Sequence, residues 1–343
     1  MSDADRLLPR DQQGARSQQL LIVLLGDYWH LRAEPVPSAA LVALLEAFGV
    51  TAAGARAAIQ RLAKRGFLVS AKAGRTTSYS VSATSRERVD AHVEMLFRSH
   101  IPRPWDGDWT VVGYTLREDQ RSTRNALRER LRAAGFGSTH DGLWIRPGDH
   151  RDEVDAMVAD VPEPPAAGQL TVFTGARLPD ADAAGVARDA FGLDELAAAY
   201  EGFAAQWAPV AARIRPPAAG DASGAAGDAS GTTGDASGAV GDAVPMAGQE
   251  ALRLRTSIMR DWRELRHRDP MLPQALLDPD FPFERALAVC AAVYDTIGPT
   301  AETAFRGILQ PHAPELVRFV SHHTFAAFDL APPSATGPAR ALP

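Results

Sequence analysis

Residues 17–81 constrain the fold most, because three helical patterns and a hairpin pattern follow one another there with little chain between them. The first helical pattern runs from Ser17 to His30, and the second runs from Ser38 to Gly49. Thr51, a residue type that caps helix N-termini, precedes a third pattern from Ala52 to Arg65. Three short helices in close succession are therefore expected at this end of the chain.

A short hairpin is predicted directly after the third helix. Gly66 ends that helix, and Phe67–Val69 and Tyr79–Val81 have the pattern of two strands joined across Gly74. Helix, helix, three-residue turn, cationic helix and hairpin is the element order of a winged helix-turn-helix. We therefore expect residues 16–98 to form a winged-helix DNA-binding domain.

The third helix carries most of the residues that predict DNA as a partner. Its apolar residues recur at helical spacing and are expected to pack inward, which leaves a polar and cationic face outside. One helix fits a major groove, where Arg, Lys and Gln pair with base edges, and the hairpin tip can reach a phosphate or the minor groove. The predicted DNA-contacting residues are Thr51, Arg56, Gln60, Arg61, Lys64, Arg65, Arg75 and Thr76.

The charge of this stretch favours the same partner. From Thr51 to Arg88 there are eight arginines and lysines and one acid, Glu87, whereas the whole chain has a formal net charge of −6. A local basic face on an acidic protein is typical of a nucleic-acid footprint. A solvated arginine-rich face is the alternative interpretation, and the helix order, the Thr51 cap and the hairpin favour DNA over it.

Composition sets the class of protein. The 343 residues leave room for two or three domains, and the single cysteine, Cys290, points to a reducing compartment without disulfides. The longest apolar run, Leu20–Leu25, is too short to span a bilayer. Asp3 and Asp5 precede any apolar stretch, which does not suit a signal peptide. We expect a cytoplasmic protein without a membrane partner.

A second domain is expected over residues 99–178, with a proline-rich linker at Ile101–Gly107 near its start. Its patterns follow the order β-α-β-β-α-β, which is that of a ferredoxin-like domain. The predicted strands are Trp109–Leu116, Phe136–Thr139, Leu143–Ile145 and Leu170–Phe173, and the predicted helices are Ser122–Gly135 and Arg151–Ala159.

Helical patterns dominate residues 179–310, which are expected to form a C-terminal helical domain ending in one long helix, Phe283–Leu309. A Gly-Asp-Ala-Ser-Gly repeat interrupts this domain. Residues 216–248 are expected to be a disordered insertion, because small polar side chains bury too little surface to offset their ordering entropy. A flexible N-terminus over residues 1–15 and a loose tail over residues 311–343 complete the predicted α+β fold.

Five phrases of this sequence, spread over residues 17–310, resemble those of the PaaX-type transcriptional repressors and occur in the same order. The phrases are Leu24-Leu25-Gly26-Asp27-Tyr28-Trp29, Arg61-Leu62-Ala63-Lys64-Arg65-Gly66-Phe67-Leu68, Trp105-Asp106-Gly107-Asp108-Trp109, Gly135-Phe136-Gly137 with Gly142-Leu143-Trp144-Ile145-Arg146-Pro147, and Trp262-Arg263-Glu264 before Arg268-Asp269-Pro270 and Leu272-Pro273.

The resemblance implies a bacterial repressor of an aromatic-acid catabolic operon of the phenylacetate type. It implies a winged helix, a ferredoxin-like domain and a helical C-terminal domain in one chain. It also implies a homodimer that binds double-stranded operator DNA and releases it when an acyl-CoA effector such as phenylacetyl-CoA binds. No cofactor is implied.

Arginines and tryptophans of the central domain suggest where such an effector would bind. An acyl-CoA needs cations for its phosphates and an apolar pocket for its acyl group. The candidate effector-binding residues are Arg117, Arg121, Arg124, Arg128, Trp105 and Trp144. A solvated arginine face with core tryptophans is the competing and commoner arrangement.

A metal-dependent nuclease is the alternative function. The central pattern also resembles the small nucleases of CRISPR systems, in which an Asp after the first strand holds a divalent ion. Here Val111–Tyr114 is followed by Thr115, which lacks the carboxylate that Mg²⁺ prefers. We therefore expect no enzyme activity and neither a catalytic nor a metal site. His322 and His323 are expected to be solvated.

Overall fold

Helices and two antiparallel sheets share the chain, which is an α+β fold as predicted. The computed structural model describes residues 10–74, 76–98, 105–140, 142–161, 164–166, 168–178, 180–214 and 247–330. The helices are α1 Arg10–Tyr28, α2 Ser38–Glu46, α3 Ala52–Lys64, α4 Ala83–Arg98, α5 Arg121–Ala133, α6 Arg151–Ala159, α7 Asp180–Phe191, α8 Leu193–Ile214, α9 Gly248–Arg268, α10 Phe283–Thr296, α11 Gly298–Leu309 and α12 Phe325–Leu330. The strands are β1 Val36–Pro37, β2 Leu68–Ala73, β3 Thr76–Val81, β4 Trp109–Tyr114, β5 Gly137–His140, β6 Leu143–Pro147 and β7 Leu170–Ala176.

The described residues divide into two compact units that do not follow chain order. Among the described residues, the first unit comprises those within 10–97, 204–262 and 288–330, and the second comprises those within 98–203 and 263–287. The helical residues of 179–310, expected as one domain, are therefore shared between the two units. No helix within the described residues combines the length and the apolar character needed to cross a lipid bilayer.

In the first unit, α1, α2 and α3 pack together beside a sheet of order β1-β3-β2. The hairpin is longer than predicted, with pairing from Leu68 opposite Val81 to Ala73 opposite Thr76. Gly74 adopts a φ of +60° at its tip, a backbone conformation that glycine adopts without steric strain. Strand β1 was not predicted, because two residues are too few to show an alternating pattern.

The two ends of this unit correct three expectations. Residues 311–330 are not a loose tail: a 3₁₀ helix over Pro314–Phe319 and α12 follow α11, and Phe325 is buried with its ring 4.6 Å from that of Phe97. The single helix expected over Phe283–Leu309 is two helices, because Pro299 lacks the N–H that a continuing helix needs. The N-terminal helix already begins at Arg10, inside the segment expected to be flexible.

Several predicted segments fall wholly or partly outside the described residues. They are residues 1–9 of the N-terminal segment, 215–246 around the predicted insertion, Arg75 at the hairpin tip and 331–343 of the tail. The linker predicted at Ile101–Gly107 is described only from residue 105.

The guanidinium of Arg255 is buried at the centre of the first unit. It lies over the ring of Tyr294 at 3.6 Å from the ring centroid, and its Nε donates to the Tyr294 carbonyl at 3.2 Å. Its Nη2 donates to the backbone carbonyl of His323 at 2.5 Å, and Tyr28 lies on another side. One α9 side chain thereby joins α1, α10 and the segment before α12.

The second unit contains a four-stranded antiparallel sheet of order β5-β6-β4-β7. All six elements predicted for the central region are present in the predicted order, with α5 and α6 against one face of the sheet. Val112, Leu127, Leu131, Trp144 and Val154 belong to the core between them. Helix α7, which was not predicted, packs against β5.

The pKa values of His30 and His323 lead us to expect that the stability of the first unit depends on pH. Their rings lie 4.6 Å apart, and burial, reinforced by His30, lowers the pKa of His323 from 6.5 to about 4. Burial also lowers the pKa of His30, against the opposing effect of Asp90 at 3.0 Å and of Glu94. His323 is therefore packed against other side chains, not solvated as expected.

Between pH 6.5 and 4 the unfolded chain binds protons that the folded chain excludes, so the free energy of unfolding should fall by about 2 kcal/mol as pH falls through this window. Chemical denaturation from pH 7.5 to 4.5 measures this loss. His323→Gln should flatten the pH dependence, whereas His312→Gln, at an exposed position, should leave it unchanged. An equally steep pH dependence in both variants would contradict the assignment.

Candidate nucleic-acid interface

Helix α3 begins and packs as its sequence predicts. The Oγ1 of Thr51 accepts a hydrogen bond from the N–H of Gly54 at 3.2 Å, which satisfies one free donor of the first turn. The apolar residues at helical spacing are buried, and α3 packs against both α1 and α2. These residues are Ala55, Ala58, Ile59 and Leu62. Their burial fixes which face of the helix meets solvent.

The outward face of α3 is cationic and contains no acidic residue. The exposed polar residues on or directly after it are Arg56, Gln60, Arg61, Lys64 and Arg65. A helix whose exposed polar side chains are all positive or amide suits an anionic partner with hydrogen-bonding edges.

An open groove of about 430 Å³ lies beside α3. It brings Arg56, Gln60 and Thr76 together, while Arg61 and Lys64 lie outside its lining. The groove is lined by Pro37, Ser38, Ala39, Arg56, Ile59, Gln60, Thr76, Thr77 and Tyr79. The start of α2 and the β3 residues Thr77 and Tyr79 therefore line the groove although the sequence prediction did not include them.

Sequence reasoning missed Ser38, Ala39 and Tyr79 as groove residues. Tyr79 pairs with Val36 across the β3–β1 ladder, and this pairing carries the start of α2 to the groove. The signal in the sequence was weak, since β1 is only two residues long. Pro37 is the N-cap residue of α2 and has no side-chain hydrogen-bond acceptor, so it does not cap the first N–H groups of that helix.

Two cations counted in the sequence have different structural roles. Arg86 is half-buried, and its Nη1 donates to the Val81 carbonyl at 2.8 Å, so it anchors α4 to the end of β3. Lys72 is exposed on β2 and pairs in register with Thr77, which lines the groove. Lys72 is therefore a further cation on the hairpin.

The tryptophans proposed for an effector do not meet in one pocket. Trp144 is buried opposite Val112 in the β6–β4 ladder, and its indole N–H donates to the Tyr114 hydroxyl at 3.4 Å. Trp105 stacks edge-on against Trp109 at 5.3 Å. Because neighbouring side chains of a strand alternate between faces, Trp109 and Val112 point to opposite sides of the sheet. Trp105 and Trp144 are therefore on different faces.

The proposed effector arginines lie around the start of α5. Arg117 and Arg121 are exposed and pair with Asp119 and Glu118 respectively. Arg124 donates to the Leu116 carbonyl at 2.9 Å, which holds the entry to the helix. Arg128 is half-buried. Within the described ranges, no group of three or more His, Cys, Asp or Glu side chains is arranged to hold a metal ion.

Three family models match successive parts of the chain. PaaX-like protein matches residues 16–85, PaaX protein central Cas2-like domain matches residues 102–186, and PaaX-like protein C-terminal domain matches residues 236–307. The chain belongs to the PaaX family. The matched ranges of this PaaX-family chain include α3, the groove and the α5 arginines.

One curated relative is the transcriptional repressor PaaX of Escherichia coli (strain K12), which is 29% identical over 140 residues. The match covers 40% of this PaaX-family chain and 43% of that repressor, so the chain spans less than half of its relative's length. A solved structure, uncharacterized protein Rv0674 from Mycobacterium tuberculosis, matches with a TM-score of 0.49 and 21% identity, over 87% of this chain and 98% of that one.

Thr51→Ala should lower the free energy of unfolding by about 1 kcal/mol, because the Gly54 N–H loses the Thr51 hydroxyl as its acceptor at the start of α3. Thr51→Ser keeps the hydroxyl and should stay within about 0.5 kcal/mol of the wild type. Urea denaturation followed by circular dichroism measures both variants. Equal losses in the two variants would show that the hydroxyl does not stabilise the helix.

Proposed function

We propose that this protein is a DNA-binding transcriptional repressor of a phenylacetate-type catabolic operon. The observation that carries the proposal is the groove beside α3, which gathers Arg56, Gln60 and Thr76 at a helix without acidic residues. Membership of the PaaX family supports the regulatory role. The protein acts on the chromosome, in the cytoplasm, and is not an enzyme.

Two finer domain assignments follow from topology. Helices α1, α2 and α3 followed by the β2–β3 hairpin fit a winged helix-turn-helix, with α3 as the recognition helix. The order β4-α5-β5-β6-α6-β7 with the sheet order β5-β6-β4-β7 fits a ferredoxin-like domain. The first domain reads DNA, and the second joins two copies of the chain.

The spacing along α3 suits base reading. Arg56, Gln60 and Lys64 follow one another at intervals of four residues. Their Cα atoms are therefore about 6 Å apart along the helix axis, which would lie in the major groove of DNA. Arg pairs in two hydrogen bonds with the edge of guanine, and Gln pairs likewise with adenine. Thr76 and Lys72 on the hairpin contact the phosphate backbone.

A homodimer and an effector complete the proposal. Two copies present two α3 helices to half-sites about one helical turn apart, so the operator is palindromic. Binding of a CoA thioester such as phenylacetyl-CoA releases the protein from its operator DNA. Arg117, Arg121, Arg124 and Arg128 remain the candidate ligands for its phosphates, although the first two must leave their acidic partners to bind them.

The first test selects bound sequences from genomic fragments and footprints them. We expect protection of a palindrome beside genes for acid activation and ring oxidation, and loss of binding on titration with one member of a panel of aryl- and acyl-CoA thioesters. Absence of any protected sequence would contradict the proposal. Cleavage of DNA or RNA that needs Mg²⁺ and stops with a chelator would support a nuclease instead.

A second test separates base contacts from phosphate contacts. Arg56→Ala should lose about 1–3 kcal/mol of operator binding and relax the preference at one base pair, because Arg56 lines the groove. Arg61→Ala should weaken binding to all DNA sequences alike and reduce the slope of log K against log salt concentration by about 1. Arg260→Ala, on α9, should change neither quantity. Competition titrations at several salt concentrations measure both effects, and identical behaviour of the two α3 variants would contradict the assignment.

A further inference from the structure

Helix α9 places an arginine at the carbonyl end of α2. The Nε of Arg253 donates to the backbone carbonyl of Ala47 at 2.6 Å, across 206 residues of sequence. Ala47 is the residue that closes α2, and carbonyls at a helix end lack partners within the helix. A cation there also interacts favourably with the helix dipole. Arg253 therefore caps α2 from another part of the chain.

The capped carbonyl stands directly before the turn that leads into α3. Gly49 takes a φ of +81° in this turn, and its N–H donates to the Glu46 carbonyl at 2.9 Å. The N–H of Val50 donates to the Leu45 carbonyl at 3.2 Å. Thr51 then caps α3. Any change in the end of α2 thus changes the start of the helix that carries Arg56.

The position of Arg253 is itself fixed by the rest of α9. Arg255, two residues further along and therefore on a different side of the helix, is held by Tyr294 and by the carbonyl of His323. A buried guanidinium that loses its partners is strongly unfavourable, so α9 resists displacement. Helix α11 also packs against α2.

We infer that Arg253 is a positioning residue for DNA reading, through which α9 holds the turn between α2 and α3 in the geometry that binds. This inference rests on the proposed function. Without the cap the turn samples other geometries, and the apparent Kd rises in proportion to the fraction of molecules that are no longer competent. The C-terminal helices thereby set the affinity of the DNA-reading helix.

The test compares Arg253→Ala, Arg253→Lys and the control Arg260→Ala in the full chain, with the operator fragment found by footprinting. Arg260 is exposed on the same helix and pairs with the adjacent Asp261. We expect Arg253→Ala to raise the operator Kd about fivefold to tenfold, and Arg253→Lys to raise it less because the lysine can still donate to the Ala47 carbonyl. Arg260→Ala should bind with the wild-type Kd.

Two further readouts separate positioning from direct contact. The salt slope of binding should stay at its wild-type value in Arg253→Ala, because no phosphate contact is removed, whereas a direct phosphate contact would reduce it by about 0.9. Amide hydrogen exchange at residues 47–51 should accelerate in Arg253→Ala, while exchange in α4 stays unchanged.

Wild-type affinity in Arg253→Ala, or a reduced salt slope, would overturn the inference and leave the proposed function standing. Failure of the wild type to bind any operator fragment would overturn the proposed function first. Faster exchange at residues 47–51 together with weaker binding at an unchanged salt slope supports the inference.

Discussion

The first unit depends on the contacts that the buried guanidinium of Arg255 makes with its neighbours. Charge in a protein interior is unfavourable unless aromatic faces, hydrogen-bond acceptors and an opposite charge surround it. Here the Tyr294 ring and carbonyl, the His323 carbonyl and the buried Asp27 provide that environment. These partners come from α1, α10 and the segment before α12. The one side chain therefore requires distant parts of the chain to fold together.

This arrangement changes how the chain is divided. Separate DNA-binding, central and C-terminal domains are the simplest interpretation of the sequence. Residues 248–262 of α9 and the whole of α11 nevertheless belong to the same unit as α2 and α3. Arg253 of α9 donates to the helix-end carbonyl of Ala47, and α11 packs against α2. These contacts connect the C-terminal helices to α2 and the turn before α3.

Elements with strong local signals were predicted well. Helix α3 follows its apolar spacing, its Thr51 cap and its glycine stop, and all six central elements formed in order, because each depends on side chains a few residues apart. Strand β1, helix α7 and the ordered residues 311–330 were missed or misjudged. Strand β1 is short and residues 311–330 contain two prolines, whereas α7 has twelve residues and no proline. All three are held by contacts with residues far away in sequence, such as Tyr79 for β1, β5 for α7 and Phe97 for Phe325.

The sequence by itself determined the α+β class, the cationic outward face of α3 and the absence of a carboxylate after Tyr114, because composition and helical period are local properties. Tertiary structure decided the rest. Sheet pairing set Trp105 and Trp144 on different faces, and β1 brought the start of α2 to the groove. Packing of α9 brought Arg253 to Ala47. Such contacts join residues whose separation in sequence carries no periodic signal, so only the folded chain reveals them.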